Sequence, residues 1–405
     1  MNDYNDTVIK KTTSMLNGFF KSEQIASFVE MFENKFRQEE REYLQCNDSM
    51  FEKISQRQFI DKLITTAKND LDTETYYKFL LELAGILAES EQIHLAEEIL
   101  MKSLGEVKAE RYYAESLLAT ADIYIRKAYW NNSISLIKKS KEIFAKINDV
   151  SGLARCENLL GILYGERGDL IKSRAHFLVC RNLLDHNIDK KFSAQIETNL
   201  AVIENIVGNF NKAEKYFKEA LNKFMLLGDN KNIAEIRHNL GMFYFEQKEF
   251  SKASIEFDKS IEIALKENYK TILSISYLGK ANTLLAQGDY NIASEIVYLA
   301  MDTAIRIEDK LTIADVYRIM GIVEKKLNRY DTAESYFQTS IRLNNELDNK
   351  LNSAETSLEL GLLFLETGQE SEKNHWLQKS LQYYSGVGAV DKVKMIGKFL
   401  SQRVN

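Results

Sequence analysis

Apolar residues at Ile236, Leu240, Phe243 and Tyr244 fall at helical spacing, and after a short polar break Phe250, Ala253 and Phe257 form a second stripe. Two such stripes, each one face of a 3.6-residue period, predict two helices joined by a tight turn. The same pattern returns in steps of forty. HNLGMFYFEQKEFSKASIEFDKSI (238–261) is matched by TNLAVIENIVGNFNKAEKYFKEAL from Thr198, NLLGILYGERGDLIKSRAHFLVCR from Asn158 and RIMGIVEKKLNRYDTAESYFQTSI from Arg318.

With Ala234 as the first position of a unit, the series Ala114, Ala154, Ala194, Ala234, Ser274, Ala314 and Ala354 falls into register. Position eight is always small: Ala121, Gly161, Ala201, Gly241, Ala281, Gly321 and Gly361. Position seventeen is large in six units (Trp130, Leu170, Phe210, Phe250, Tyr290, Tyr330), and position twenty is small in the same six, Ser133 to Ala333. Position twenty-four reads Ile137, Phe177, Phe217, Phe257, Val297, Phe337 and Leu377. Small residues at eight and twenty let the two helices approach, and the aromatics fill the space between neighbouring pairs. A further unit precedes these from Tyr77, with Leu83, Ala84, Ile93, Ala96 and Leu100 in the same slots. The last unit places Glu370 and Lys373 in apolar slots, as expected of a terminal repeat that no further unit covers.

Turn signals separate the helices of a pair, at Gly168-Asp169, Gly208-Asn209 and Gly288-Asp289. Asp149, Asp189, Asp229, Asp309 and Asn349 stand at one recurring position between units, where a side-chain oxygen can accept from the free N–H groups of the next helix; Tyr269 breaks the series.

The small position eight, large seventeen, small twenty and aromatic twenty-four resemble the tetratricopeptide repeat, over about residues 77–384. The spacing is forty rather than the usual ~34, and the family's late proline is missing. This longer variant is similar to the repeats of LGN-type scaffolds and of bacterial Rap phosphatases and related peptide-pheromone receptors. The resemblance implies an all-α fold: a right-handed α-solenoid of about eight helix pairs, with a small N-terminal helical bundle and a C-terminal capping helix. The expected divisions are 1–76 for the bundle, 77–387 for the array and 388–405 for the cap.

The N-terminal part lacks the period but keeps helical spacing. SEQIASFVEMFENKFRQEEREYLQ (22–45) offers Ser22 as a cap and Ile25, Phe28, Val29, Phe32 and Phe36 as a stripe, flanked by helical segments at 7–20 and about 51–68. It carries no convincing helix-turn-helix signature. At the other end Val390, Val393, Ile396, Phe399 and Leu400 share one face, while Lys392, Lys394, Lys398 and Arg403 form a small basic patch expected to be solvated.

Composition sharpens this picture. Proline is absent from all 405 residues, which suits a chain that is helical almost throughout. A formal net charge of −6 argues against general nucleic-acid binding. The three cysteines (Cys46, Cys156, Cys180) do not suggest a disulfide framework and fit a reducing cytoplasm. The start, MNDYNDTVIKK, does not read as a secretory signal, and no run of apolar residues is long enough to span a membrane.

Candidate chemistry is sparse. Five scattered histidines (His94, His176, His186, His238, His375) include one pairing of interest, His176 and Cys180 one helical turn apart with Cys156 in the preceding helix. Cys180 occupies a packing position, so a core role is favoured over a metal site, and no metal or other cofactor is expected. No phosphate loop, GxSxG or HExxH motif is present, and Glu39-Glu40 sits in a helix rich in both charges. No catalytic residue is assigned, and a non-enzymatic role is favoured.

The resemblance further implies a concave groove lined by positions two, five, six, nine, twelve and thirteen of the first helices. Position five carries Asn158, His238 and Arg318; position six, Asn199 and Asn239; position nine, Met242, Asn282 and Ile322; position twelve, Phe245, Leu285 and Lys325. Residues differ between units here and agree at the packing slots, so the shared ones build the solenoid and the unshared ones meet a ligand. No unit combines lysine at five with asparagine at nine, which disfavours the clamp this family uses for acidic C-terminal tails. Asparagine amides can pair with an extended peptide backbone while apolar neighbours take its side chains. The leading reading is therefore a binding module whose groove takes a peptide or protein partner. A second is a Rap-like peptide-pheromone receptor acting on a response regulator or on transcription through its N-terminal bundle. A third is self-assembly into a homo-oligomer through the ends of the array.

Overall fold

The helices begin every twenty residues because the sequence repeats every forty. The computed structural model describes residues 12–26, 28, 30, 49–90, 92–184 and 189–402, with the side chains of 49–56 left aside. Val29, Phe32 and Phe36 of the N-terminal stripe, Glu39, Glu40, Cys46, His186 and Arg403 lie outside the described residues. After short helical stretches at 12–16 and 22–26 comes α1 (Ser49–Asp70), then eight helix pairs. They are α2 (Thr73–Glu89) with α3 (Ile93–Glu106), α4 (Glu110–Arg126) with α5 (Trp130–Lys146), α6 (Val150–Glu166) with α7 (Leu170–Leu183), and α8 (Lys190–Ile206) with α9 (Phe210–Leu227). There follow α10 (Asn230–Glu246) with α11 (Phe250–Lys266), α12 (Lys270–Gln287) with α13 (Tyr290–Arg306), α14 (Lys310–Lys326) with α15 (Tyr330–Glu346), and α16 (Lys350–Thr367) with α17 (Glu370–Gly386). A last helix, α18 (Val390–Ser401), follows the eighth pair. The described residues contain no strand, and the successive antiparallel pairs make an α-solenoid.

The spacing rules explain how a pair closes. A Cβ built on Gly241 would lie 2.6 Å from the Phe257 ring, and one on Gly279 of the next unit would lie 2.3 Å from the same ring. Phe257 is thus wedged between two positions where any side chain would collide. Hydroxyls satisfy buried carbonyls at matching slots. Ser173 donates to the Gly161 carbonyl at 2.7 Å, Ser133 to that of Ala121 at 2.9 Å, and Ser260 to that of Ala234 at 2.7 Å. Such bonds keep polar groups paired inside a tight interface, where an unpaired one costs about 1–3 kcal/mol.

The caps form where the aspartates recur. Asp149, Asp189, Asp229, Asp309 and Asn349 accept from the backbone N–H three residues on, at 2.8 to 3.2 Å, and Tyr269 supplies no side-chain cap. From the second pair to the eighth, the turn within the pair uses a left-handed residue at one fixed slot. Glycine holds it at Gly168, Gly208, Gly288 and Gly368, but Ala128, Lys248 and Asn328 hold it equally with φ near 60°.

The chain divides into two compact units, Met1–Gly152 and Leu153–Asn405. In the first, the N-terminal segments share one core with the first pair: Leu16, Phe20, Ile25 and Phe28 pack with Leu63, Phe79 and Leu83. Phe79 receives Phe19 and Phe20 edge-on, at ring separations of 5.4 and 5.9 Å. In the second, core clusters follow one another along the array. α18 seals its end through Ile396, with Val393, Phe399 and Leu400 packed against the same cluster.

Two details at that end differ from the sequence expectation. Val390 is exposed rather than part of the buried face. Lys373, in a slot expected to be uncovered, is fully buried, its Nζ 2.8 Å from the Glu370 carboxylate and 2.5 Å from the Gln402 carbonyl. The end of α18 covers the slot and supplies the acceptor that lets a lysine occupy it.

Candidate functional site

In the second compact unit, first helices of neighbouring pairs touch (α8 and α10, α10 and α12, α12 and α14, α14 and α16), whereas among the described residues their second helices stand apart. A stack that is close on one side and splayed on the other curves toward its first helices. The positions two, five, six, nine, twelve and thirteen of the sequence expectation all belong to these first helices.

The residues singled out in the sequence fall into three groups there. Asn158, Asn199, Asn239, Met242, Phe245 and Asn282 are half-buried on α6, α8, α10 and α12. Asn199 donates from Nδ2 to Asn158 Oδ1 at 3.3 Å, joining two units, and the Phe245 ring lies 5.7 Å from that of Phe250. Leu285 and Ile322 are buried and belong to the apolar core of their units, with Ile319 and Val323. His238, Arg318 and Lys325 are held by neighbours. The His238 ring packs 5.6 Å from that of Phe257, its Nδ1 lies 3.4 Å from Ser276 Oγ, and enclosure pulls the imidazole down to about 4.

Arg318 lies between two carboxylates, and Lys325 pairs with one. Arg318 lies 2.9 Å from Asp315 and 3.3 Å from Glu355, and Lys325 lies 2.8 Å from Glu359. Burial disfavours the arginine's charge, but Asp315 and Glu355 outweigh it and keep the guanidinium ionised. Burial likewise opposes ionisation of Glu359, and Lys325 and Arg318 reverse the balance, holding its carboxyl below the usual range. Glu355 is less well compensated, and burial keeps its carboxyl raised. The network extends to α18, where Lys392 reaches the Glu246 carboxylate at 3.0 Å, so this lysine is not part of a purely solvated patch.

The acidic part of the face was missed in the sequence. Glu235, Asp315 and Glu355 recur at position two, Glu359 stands at six, and Glu166 and Glu246 stand at thirteen. The forty-residue step places them, but their number becomes informative only once they converge. Glu166 is exposed, but the protein around it and the nearby Asp309 and Glu235 push its carboxyl up to about 7.

Away from this face, His176 is engaged by Glu157, Nδ1 to Oε2 at 2.7 Å, and stacks on Tyr164 at 5.4 Å. Cys156 and Cys180 are buried thiols outside any disulfide, and burial beside Glu157 pushes that of Cys180 up to about 12. Among the described residues no group of three or more His, Cys, Asp or Glu is arranged to hold a metal ion, and no helix is long and apolar enough to cross a membrane. The inner face offers amide donors and acceptors, apolar contacts and carboxylates, which suits recognition of a polar chain.

The family model for the tetratricopeptide repeat matches residues 192–266 and 272–346. No curated protein matches the chain in sequence. Among solved structures it is similar to NprR in complex with its cognate peptide NprX, with a TM-score of 0.59 at 14% identity over 82% of this chain and 97% of that one. The Rap conjugation gene regulator of the plasmid pLS20 in complex with the Phr* peptide gives 0.56 at 15% identity, over 81% and 98% of the two chains. A Rap protein complexed with Competence and Sporulation Factor gives 0.55 at 12% identity, over 80% and 96%. These likenesses are of fold. The matched segments are tetratricopeptide repeats, and the forty-residue helix pairs and wedged aromatics on either side of them share that fold.

Proposed function

We propose that the chain is a non-enzymatic binding module whose inner face takes an extended peptide, free or as part of a protein partner. One observation carries this reading. Positions that pack the pairs repeat from unit to unit, while the positions of Asn158, Asn199, Asn239, Met242, Phe245 and Asn282 vary, stay half-buried and belong to the first helices, which approach one another more closely than the second. Amides at that spacing can satisfy the N–H and C=O groups of a peptide main chain, and Met242 and Phe245 offer apolar contact for its side chains. Solved structures of this fold are described with bound peptides, which supports extending the reading here. The Glu166 carboxylate, with Asp309 and Glu235 near it, favours a ligand that brings positive charge. The reading places the protein in the cytoplasm.

The test is selection of a short-peptide library on the full-length chain. Enrichment of related sequences that raise the melting temperature supports the module. A selection that yields no stabilising peptide, or whose peptides bind as well after Asn239→Ala and Phe245→Ala, removes it.

A second reading gives the same groove a signalling output through the N-terminal helices. Its support is the core those helices share with the first pair, through Phe19, Phe20 and Phe79, which would couple them to the repeats. A selected peptide that changes hydrogen exchange at Leu16 and Phe20 favours that reading, and unchanged exchange favours the simple module.

A further inference from the structure

The second compact unit touches itself far along the chain. Between the third pair and the eighth, about 180 residues apart, the turn from α6 to α7 meets the turn from α15 to α16. Arg167 donates from Nε to Asp348 Oδ2 at 2.8 Å, and its carbonyl accepts the Lys350 backbone N–H at 3.0 Å. The Tyr383 hydroxyl donates to the Gly168 carbonyl at 2.8 Å, and Val387 packs against the cluster that contains Leu170 and Phe177. Lys392 and Glu246 add an ion pair from α18 to the end of α10.

Gly168 shows that this seam is specific. A Cβ there would lie 2.5 Å from Leu351 N and 3.1 Å from Leu351 Cβ. Its left-handed backbone does not by itself demand glycine, because Ala128, Lys248 and Asn328 adopt it at the same slot. Gly288, also at that slot, has nothing within 4 Å of a built Cβ. Close approach across the seam is what distinguishes position 168.

The Lys350 amide is equally telling. It belongs to the first turn of α16, where backbone N–H groups have no partner within their own helix. Its acceptor, the Arg167 carbonyl, exists only because the array closes.

We infer that these contacts form a latch: the turn at Arg167-Gly168, clasped by Asp348, Lys350 and Tyr383, holds the second compact unit closed on itself and limits entry to its inner face. The second half of this statement rests on the groove reading above; the closure itself does not. Opening breaks a small set of polar contacts at helix ends and the packing of Val387, and leaves every pair intact, so a local event of this size suffices to widen the unit.

The test uses the full-length chain without ligand. Hydrogen exchange at the Lys350 amide is compared with that at Lys310, the first residue of α14. In the parent protein Lys350 is expected to exchange on the order of tenfold more slowly. Gly168→Asn, which uses a residue the slot accepts at position 328, should abolish that difference, and Gly288→Asn should leave it unchanged. Tyr383→Phe, which removes only the hydroxyl, should erode it and guards against a fold defect in the glycine variant. Entry is read separately by placing a thiol on the inner face with Asn239→Cys and measuring its reaction with a maleimide above the background of the parent cysteines. Gly168→Asn should speed that reaction several-fold. Equal exchange at Lys350 and Lys310 in the parent overturns the latch. Lost protection without faster labelling overturns its control of entry. Failure of every peptide to bind, with both readouts as expected, would instead count against the groove reading.

Discussion

The Lys325 ammonium is buried and lies 2.8 Å from the Glu359 carboxylate of the next unit. Lys325 was read from the repeat as facing a ligand, yet it faces Glu359, and this pair fastens α14 to α16. A buried charge is tolerable only while its partner stays. Glu359→Ala should therefore cost about 2–4 kcal/mol, measured by urea unfolding, and Lys325→Met in the same chain should recover much of the loss. A double variant no more stable than Glu359→Ala would show that the pair is not what holds these helices.

The wedge at Phe257 should be as sensitive to filling as to emptying. Gly241→Val pushes a branched side chain into a ring 2.6 Å from its Cβ and should destabilise by about 1–3 kcal/mol. Phe257→Ala leaves a cavity between two units and should cost about 3–5 kcal/mol. Thermal denaturation of both variants checks the geometry, and a neutral Gly241→Val would contradict it.

His238 ties stability to acid. Its imidazole is held down to about 4 in the fold, against 6.5 in an unfolded chain, because its enclosure disfavours the charged form. Between these values the unfolded state binds more protons, so the contribution is full above 6.5 and is lost as pH falls toward 4. His238→Gln should flatten the fall in melting temperature between pH 6.5 and 5, a range above most carboxylate titrations. An unchanged slope would mean that another group dominates.

Glu166 acts in the opposite direction. Its carboxyl is raised to about 7 by enclosure and by Asp309 and Glu235, so the unfolded chain releases the proton first, near 4.5. The favourable protonated contribution is full below 4.5 and is lost as pH rises through 7. Glu166→Gln should raise the melting temperature at pH 8 and leave it little changed at pH 4. A variant that is neutral at pH 8 would show that solvent relieves the strain.

Much of this fold was legible because a residue seen once was seen again forty positions later. Gly241 and Phe257 could be paired from sequence, since the same small and aromatic slots recur at Gly321 and Phe337. The caps at Asp189, Asp229 and Asp309 were readable for the same reason. The inner face was only half legible. Its positions follow from the period, so Asn199 and Asn239 could be placed on it, but burial there depends on curvature, which no single unit encodes. Leu285 and Ile322 turned out to be packed, and Arg318 and Lys325 paired across units. Lys392 seemed a surface charge because its partner, Glu246, is 146 residues away. The seam at Gly168 was read correctly as a turn, while its reason for being glycine lies in Leu351, far along the chain.

The central claim is that the half-buried amides and apolar side chains of the inner face bind a peptide main chain. The most direct measurement is the affinity of a library-selected peptide for the full-length chain and for Asn239→Ala and Phe245→Ala, by fluorescence anisotropy. Each substitution should weaken binding by on the order of tenfold, about 1.4 kcal/mol, with little change in melting temperature. Unchanged affinity in both variants, alongside loss of binding after surface substitutions in the first compact unit, would contradict the assignment and place the site elsewhere.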